Sequence, residues 1–338
     1  MIVGPDGVVV GSVSGGCVEG AVYDLATSVV DGAAPILQRY GVTDDDAFAV
    51  GLTCGGIIDV FVESISRESF PELAEVVADL REHRPVAVAT LVDGDDSHRG
   101  RRMIVWPDRV SGSLGAEGLD VAVADDARGM LANGRTGVRR YGAHGERRVD
   151  EVAIFVSSYA PPPRMIVFGA IDFAAAVARI GKFLGYRVTV CDARPVFATR
   201  KRFPDADEVV VEWPHKFLGH TETDDRTVIC VLTHDPKFDG PLLEVALRKP
   251  AAYIGAMGSR RTHERRLAQL RDAGVPDDAI ARLSAPVGLD LGARTPEETA
   301  VSIAAEVIAN AWGGTGQRLS DLRDRIHHDP DAEDARAR

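Results

Sequence analysis

The sequence lacks three features that would place a protein in a broad class at once: paired cysteines, a long apolar run and a surplus of basic residues. Its 338 residues include only four cysteines, scattered without the close pairs of a metal site. No apolar run approaches the roughly 20 residues that cross a membrane. The formal net charge is −12, from 39 basic and 51 acidic residues. We therefore expect no membrane span, no metal site and no broad binding to nucleic acid.

The amino terminus also lacks the succession of basic, apolar and small residues that is typical of a signal peptide. We therefore expect a cytoplasmic protein whose thiols stay reduced. Two of the cysteines, Cys191 and Cys230, lie within predicted strands and are expected to be core residues.

The segment 165–194 has the pattern of a strand, a glycine turn, a helix and a second strand. The strands are predicted at 165–168 and 187–191, and the helix at 172–184. In nucleotide-binding βαβ units the glycine allows a tight turn and the helix start faces a phosphate. An acid that ends the second strand meets a ribose hydroxyl there. Gly169 and Asp192 occupy those two positions, and both are candidate binding residues.

One position departs from the dinucleotide fingerprint G-x-G-x-x-G/A. Ile171 stands where the second glycine belongs, and a β-branched side chain there blocks the approach of the backbone to a pyrophosphate. We therefore expect NAD(P) to bind weakly or not at all. The alternative is a Rossmann scaffold without a dinucleotide, in which Asp172 caps the helix.

The rest of the second half continues the alternation of strands and helices. We predict further strands at 208–212, 227–232 and 251–255, and helices at 195–203, 240–248, 259–273 and 296–312. This order predicts an α/β fold with a Rossmann-like, doubly wound parallel sheet over 165–312, followed by a polar tail over 313–338. The proline-rich segment 157–164 is predicted to be an extended linker.

Residues 1–156 are predicted to form a mixed α+β domain of a different kind. Its predicted strands lie at 8–13, 36–42, 57–65, 86–92, 102–106 and 152–157, and its predicted helices at 18–30 and 70–82. We expect these strands to form a mixed sheet.

Two glycine turns of this first domain contain cysteine: Gly15-Gly16-Cys17 and Cys54-Gly55-Gly56. Glycine lets backbone N–H groups point at an anion, and a thiolate beside a helix start is stabilised. We expect cofactor binding at the glycines and sulfur chemistry at the cysteines, above all at Cys54. The alternative is two tight turns with small buried side chains.

Three stretches of the second domain place polar residues after predicted strands. His234 and Asp235 follow the fourth strand, although an Asp-Pro turn would also explain them. The fifth strand leads through Gly255 and Gly258 to Ser259, Arg260 and Arg261. Ser259 would cap a helix, and arginines in its first turn oppose the helix dipole, so an anion would explain them better than a solvated surface.

The third stretch precedes the last helix. Thr295, Pro296 and Glu298 are predicted to form a capping box, which needs no ligand. The loop before it, with Asp290 between two glycines, is not explained by capping, and Asp290 is therefore a candidate binding residue.

Taken together, the chain resembles the xanthine dehydrogenase accessory proteins, the XdhC/CoxI family. The resemblance is carried by segments that share the order found in the family: GSVSGGCVEG (11–20), CGG (54–56), the GAIDFAAA-type βαβ unit, THD (233–235), YIGAMGSRR (253–261) and GLDLGARTPEETAVSIAAE (288–306). Family members usually begin some tens of residues earlier, so we expect a first helix and strand to be missing here.

The resemblance implies a maturation factor for molybdenum hydroxylases such as xanthine dehydrogenase or carbon monoxide dehydrogenase. Such a protein would bind molybdenum cofactor transiently, assist its sulfuration and deliver it to the apoenzyme. The implied partners are that apoenzyme and a cysteine desulfurase, and a homodimer is left open. An accessory role is favoured over catalysis. The alternative is an NAD(P)-dependent oxidoreductase that uses Gly169 and Asp192.

These expectations converge on one site. We predict a ligand groove between the two domains, lined by Cys54, Asp192, His234 and the segment 255–261. The glycine turns, Ser259 and the two arginines suit the phosphate of molybdopterin, and a thiolate suits sulfur-ligated molybdenum.

Overall fold

The computed structural model describes residues 1–41, 57–233 and 235–322. The chain divides into two compact units, Met1–Pro161 and Pro162–Arg338, so the division falls within the run of three prolines. Each unit has its own buried apolar core. Within the described residues, no helix is both long and apolar enough to cross a bilayer.

Unit 1 is built on antiparallel strands. Its elements are β1 (Ile2–Val3), β2 (Val9–Val10), α1 (Glu19–Val30), β3 (Ile36–Gly41), β4 (Ile57–Val62), α2 (Leu73–Arg81), β5 (Val86–Asp93), β6 (Arg102–Val105), β7 (Val110–Gly112), α3 (Glu117–Ala132), β8 (Gly137–Tyr141) and β9 (Val152–Tyr159). The strands β7-β6-β5-β9-β8 form one sheet, while β1 pairs with β2 and β3 with β4.

The prediction of one mixed sheet in this half is therefore wrong. The larger sheet is antiparallel throughout, and β3 and β4 pair apart from it in the described structure. The sequence analysis also missed α3 and β8. Leu119, Val123 and Ala127 of α3 are buried against the sheet at helical spacing. Small and acidic residues between them dilute that pattern.

Unit 2 is the predicted Rossmann-like fold. Its elements are β10 (Arg164–Phe168), α4 (Asp172–Phe183), β11 (Arg187–Asp192), β12 (Glu208–Val211), α5 (Pro214–His220), β13 (Val228–Val231), α6 (Pro236–Ala246), β14 (Tyr253–Ala256), α7 (Arg260–Asp272), α8 (Asp277–Ile280), β15 (Leu283–Ser284) and α9 (Pro296–Trp312). The strands are parallel in the order β12-β11-β10-β13-β14-β15. Counted from β10, this is the order 3-2-1-4-5-6 of dinucleotide-binding sheets.

Helices cover both faces of this sheet. Residues of α4 and α9 share one apolar cluster with the sheet, and residues of α5, α6 and α7 share the other. The strands are short and buried on both sides, which explains their continuous apolar runs. β11 and β12 lie on one side of β10, and the chain then crosses over to place β13 on the other side. Ligands are expected at the carboxyl edge near this switch between β10 and β13.

The helix predicted at 195–203 is absent, and this prediction is wrong. The segment forms successive turns instead. The Arg200 guanidinium donates to the carbonyls of Ala206 and Asp207, at 2.6 and 2.5 Å, so side-chain bonds rather than helical ones organise the chain here. The helix of this connection is α5, which the sequence analysis missed. The predicted linker is also shorter, since β9 extends to Tyr159.

Candidate functional site

The turn after β10 brings two strand ends together. Gly169 has φ +106°, and a Cβ built on it would lie 2.9 Å from Cγ2 of Thr233, which follows β13. Its N–H donates to the Cys191 carbonyl at 2.9 Å. Glycine is required here for two reasons. A side chain would collide with the segment that follows β13, and the positive φ is unfavourable for other residues.

Asp192 ends β11 as predicted, but its carboxylate is already engaged. It is buried and accepts hydrogen bonds from the Ala170 N–H at 2.7 Å and from the Arg194 guanidinium at 2.8 and 2.9 Å. Burial acts to raise the pKa of this carboxyl, but the bonds from Arg194 and Ala170 outweigh it and lower the pKa overall. The acid expected to meet a ribose hydroxyl is therefore held by the protein itself.

Ile171 occupies the N-cap position of α4, and no side chain caps the helix there. Its side chain is half-buried against the core. The alternative in which Asp172 caps α4 is wrong, since Asp172 is the first helical residue and pairs with Arg202 at 3.2 Å. Arg202 also donates to the Ala170 carbonyl at 2.9 Å, so two arginines that the sequence analysis did not single out, Arg194 and Arg202, flank this turn.

The end of β13 supplies Thr233 and Asp235, while His234 lies outside the described residues. Thr233 is buried, and its hydroxyl donates to Asp239 of α6. Asp235 caps α6 by accepting from the Lys237 N–H at 3.0 Å, with Pro236 at the start of the helix, and its predicted site role stays a prediction. Asp235 also helps to raise the pKa of Arg194, which places its carboxylate near the end of β11.

The turn between β14 and α7 contains the predicted cap and the two predicted cations. Gly258 has φ +154°, and the Ser259 hydroxyl accepts from the Thr262 N–H at 3.2 Å. Arg260 and Arg261 are exposed, and neither has a carboxylate partner among the described residues. Because the helix dipole disfavours cations at this end, these arginines lower the stability of α7 unless an anion is bound.

Gly255 belongs to β14, so of the two glycines only Gly258 lies in the turn. Gly255 lies opposite Cys230 and Ser284 on the neighbouring strands, and its predicted part in cofactor binding stays a prediction. A Cβ at this position would come within 2.5 Å of Val287 and 2.6 Å of the Tyr253 ring. Its smallness therefore serves packing next to the turn.

The loop that contains Asp290 is tied to α9. The Glu306 carboxylate accepts from the Gly288 N–H at 2.7 Å and from the Tyr253 hydroxyl. Burial, with nearby Cys230 and Glu306, raises the pKa of Tyr253 far above its usual range. Asp290 itself is exposed. The predicted capping box of Thr295 and Glu298 is present.

In unit 1, the turn Ser12–Val18 is folded around one carboxylate that the sequence analysis overlooked. Glu19 accepts bonds from the hydroxyls of Ser12 and Ser14 at 2.6 and 2.8 Å and from backbone N–H groups of this turn at 2.8 to 3.2 Å. These bonds, led by the one from Ser12, lower the pKa of Glu19 far below its usual range. The Gly16 N–H is one of the donors, and the Gly15 N–H donates to Ser12 Oγ at 3.1 Å.

The four cysteines fall into different environments. Cys191 and Cys230 are fully buried, and burial raises the pKa of each thiol to about 12. Cys17 is half-buried, and its N–H donates to Ser14 Oγ at 3.0 Å. Cys54, Gly55 and Gly56 lie outside the described residues, so their predicted roles stay predictions. Across the residues that the structure describes, no group of three or more His, Cys, Asp or Glu side chains is arranged to hold a metal ion.

Seven of the ten candidates predicted in unit 2 therefore lie at one edge of its sheet: Gly169, Asp192, Asp235, Gly258, Ser259, Arg260 and Arg261. Hydrogen bonds or close packing connect the ends of β10, β11, β13 and β14 there. The predicted groove between the two units stays a prediction.

Comparisons with known proteins agree with this architecture. The family model described as the XdhC Rossmann domain matches residues 165–307, and the model of the XdhC and CoxI family matches residues 1–41 and 79–142. The Cys54 turn lies between the two segments that the second model matches. A crystal structure described as a xanthine dehydrogenase from Bacillus halodurans superposes with a TM-score of 0.66 and 25% identity, covering 94% of this chain and 87% of that one.

Two relatives extend over most of the chain. A Bacillus subtilis protein named as a probable subunit of xanthine dehydrogenase is 28% identical over 306 residues, which are 88% of this chain and 83% of that protein. The Escherichia coli protein named molybdenum cofactor insertion chaperone PaoD is 25% identical over 307 residues, which are 91% of this chain and 76% of that protein. With both family models matched in order along its length, the chain belongs to the XdhC and CoxI family.

Proposed function

We propose that this protein binds molybdenum cofactor at the carboxyl edge of the unit 2 sheet and assists its insertion into a molybdenum hydroxylase of the xanthine dehydrogenase type. The observation that carries the proposal is the exposed pair Arg260 and Arg261 in the first turn of α7, at the ligand edge of a Rossmann sheet. The names of the Bacillus subtilis and Escherichia coli relatives support it.

The cofactor is the cargo of this protein, an anionic pterin that carries a phosphate and sulfur-ligated molybdenum. The guanidinium groups of Arg260 and Arg261 donate charge-assisted hydrogen bonds to the phosphate. The first N–H groups of α7 add to this, because they have no carbonyl partner within the helix. Gly258, with φ +154°, supplies the backbone conformation that precedes them. The residues of this turn therefore fit a phosphate.

Further residues act on the rest of the cargo in this proposal. Asp235, the N-cap of α6 at this edge, contacts the pterin, and its sequence neighbour His234 is assigned the same role. Cys54 contacts molybdenum or its sulfur ligands, since a thiolate is a soft ligand. A cysteine desulfurase is the expected partner for sulfuration, and the apoenzyme of the hydroxylase receives the sulfurated cofactor. Binding is transient because the cargo must leave.

The direct test is a titration of the purified full chain with molybdopterin, followed by pterin fluorescence. Saturable binding is expected, together with activation of a molybdenum-free hydroxylase by the loaded chain. A matched titration with a pterin that lacks the phosphate should show much weaker binding. Equal affinity for both compounds would contradict the assigned role of Arg260 and Arg261, and no binding of either would contradict the proposed function.

Cys54 is tested separately, by alkylation of the four cysteines as a function of pH. Cys191 and Cys230 should stay unmodified at neutral pH, because burial holds the pKa of each near 12. Cys54 is expected to react fastest. The variant Cys54→Ser should fold normally but fail to activate the hydroxylase, with Cys17→Ser as the matched variant in the other glycine turn. Full activation by Cys54→Ser would remove the thiol from the proposal.

The second candidate function is an NAD(P)-dependent oxidoreductase. It is favoured by the strand order of the sheet and by Asp192 at the end of β11. Ile171 and the engagement of Asp192 by Arg194 argue against it. We expect weak binding of NADH that tightens in Ile171→Gly. A dissociation constant in the low micromolar range would contradict this expectation and favour the oxidoreductase.

A further inference from the structure

A buried polar cluster connects two of the segments that carry the proposed site. Thr233 Oγ1 donates to one carboxylate oxygen of Asp239, and the Arg266 guanidinium donates to the other. A second nitrogen of Arg266 donates to the Met257 carbonyl at 2.6 Å. Thr233 follows β13 and Met257 follows β14. The cluster therefore joins the ends of two neighbouring strands at the ligand edge.

The three side chains of this cluster are almost fully buried. Thr233 is 6% exposed, and Asp239 and Arg266 are each 4% exposed. A buried ion pair is a weak source of stability, because the cost of desolvating both charges offsets their attraction. It does fix geometry, since each charge needs its partner at hydrogen-bonding distance. The Asp239–Arg266 pair therefore fixes the distance between the two strand ends more strictly than an apolar pair of equal volume would.

We infer that Asp239 and Arg266 are positioning residues, which hold the end of β13 and the turn Met257–Arg261 at the spacing that the cofactor requires. This inference rests on the proposed function. Arg266 acts on the turn in two ways, by its bond to the Met257 carbonyl and by contact with Gly258, where a Cβ would lie only 3.0 Å from the guanidinium. The pair itself stays beneath the ligand surface.

The opposite end of β13 provides a matched control. There Thr227 Oγ1 donates to Asp224 at 2.8 Å, and Arg226 pairs with Asp224 at 3.2 Å. This cluster has the same three residue types and precedes the strand, so it lies at the amino edge of the sheet. Thr227 is fully buried, as Thr233 nearly is. Changes at the two ends should disturb the same strand with different consequences for the ligand edge.

The test compares Thr233→Val with Thr227→Val in the full chain, by thermal unfolding, by the dissociation constant for molybdopterin and by amide hydrogen exchange of residues 257–262. Both variants should lower Tm to a similar degree. Only Thr233→Val should weaken binding and speed exchange in the turn. The conservative change Thr233→Ser, which keeps the donor, should restore both. The double variant Asp239→Leu/Arg266→Met should lower Tm by no more than a Thr233→Ala change, which loses a buried hydrogen bond. The reason is that the Thr233 hydroxyl and the Met257 carbonyl lose their partners while the desolvated ion pair is removed. Its affinity for molybdopterin should fall by about ten- to a hundredfold, the cost of removing an orienting partner at metal sites.

The outcomes separate this inference from the proposed function. If the wild-type chain and Thr227→Val bind molybdopterin and the double variant binds equally well, the inference is contradicted while the proposed function stands. Unchanged exchange of residues 257–262 in both Thr233→Val and the double variant would overturn it as well. If the wild-type chain binds no molybdopterin, both the proposed function and the inference that rests on it are contradicted.

Discussion

Two glycine-containing turns of this protein lead directly into helices, yet they present opposite surfaces to a ligand. In the α1 turn, Ser12–Val18, hydroxyl and N–H groups converge on the carboxylate of Glu19, which belongs to the same chain. In the α7 turn, Met257–Arg261, the Ser259 hydroxyl takes one N–H group, and two cations remain exposed. The α1 turn carries its own anion, whereas no carboxylate of the described residues pairs with the two cations of the α7 turn.

The difference shows why a glycine turn before a helix is a weak predictor of an anion site. The N–H groups of such a turn always require acceptors, and a nearby carboxylate or hydroxyl of the chain can satisfy them. A site is indicated only where charge is placed against the helix dipole and stays unpaired. Arg260 and Arg261 meet that condition within the described structure, and the α1 turn does not.

The largest expected effect follows from removing both cations. Arg260→Ala/Arg261→Ala should raise the dissociation constant for molybdopterin by at least about a hundredfold, because each charge-assisted bond contributes about 1.5–3 kcal/mol. Tm should stay the same or rise slightly, since the dipole no longer opposes the side chains. The control Arg271→Ala removes a cation from the other end of α7, where it pairs with Asp277. A similar loss of affinity in this control would show that the net charge of the protein, and not the position of Arg260 and Arg261, determines binding.

Glycine-to-alanine changes compare the rigidity of the two turns. Gly258→Ala should destabilise the protein by about 2–3 kcal/mol, because positive φ is combined with contact to the fixed Arg266 guanidinium. Gly16→Ala should cost about 1–2 kcal/mol, since its φ of +122° is unfavourable but no atom lies within 4 Å of the added carbon. Denaturant unfolding measures both. Equal costs would mean that the packing of Arg266 adjusts freely.

Removing the Glu19 carboxylate should make the α1 turn resemble the α7 turn, because an external anion could then bind to its free donors. Glu19→Ala leaves the converging donors without an acceptor, so Tm should fall by a few degrees. Sulfate should recover part of that loss in the variant, beyond its effect on the wild type, because an external anion can replace the carboxylate. Identical responses of both proteins to sulfate would show that the turn collapses when Glu19 is removed.

The smallest effect is expected in the dependence of stability on pH. Hydrogen bonds, led by that from Ser12, hold the pKa of Glu19 below its ordinary value of 4.5 in the folded protein. The stabilisation is therefore complete above about pH 4.5 and decreases as pH falls towards the folded pKa. The difference in Tm between the wild type and Glu19→Gln should be constant from pH 7 to pH 5 and shrink below that range. A difference that grows on acidification would contradict this assignment.

Most of unit 2 could be predicted because its strands and helices are marked by local patterns. Apolar runs that end at glycine or polar residues predict parallel buried strands, as at β10 and β13. The segment 195–203 misled the prediction, because Arg200 supplies bonds to carbonyls that no local pattern reveals. In unit 1, α3 was missed for the opposite reason, since its buried stripe is interrupted by small and acidic residues.

The caps were equally accessible to sequence reasoning. Ser259 and the capping box at Thr295 act within one helical turn, so three or four residues of sequence contain both partners. Glu19 could also have been found, although it follows the two serines by seven and five residues, because a lone acid just after a Ser- and Gly-rich turn is a signal for such a bond.

Local periodicity and linear motifs are enough to predict the parallel α/β order of unit 2, the family and the edge at which polar residues follow the strands. Three features become visible only in the folded chain: the bond of Arg194 to Asp192, the packing around Gly255 and the pairing of Asp239 with Arg266. The physical reason is separation along the chain. Asp239 and Arg266 are 27 residues apart, and nothing local marks them as partners until strand pairing brings their helices together.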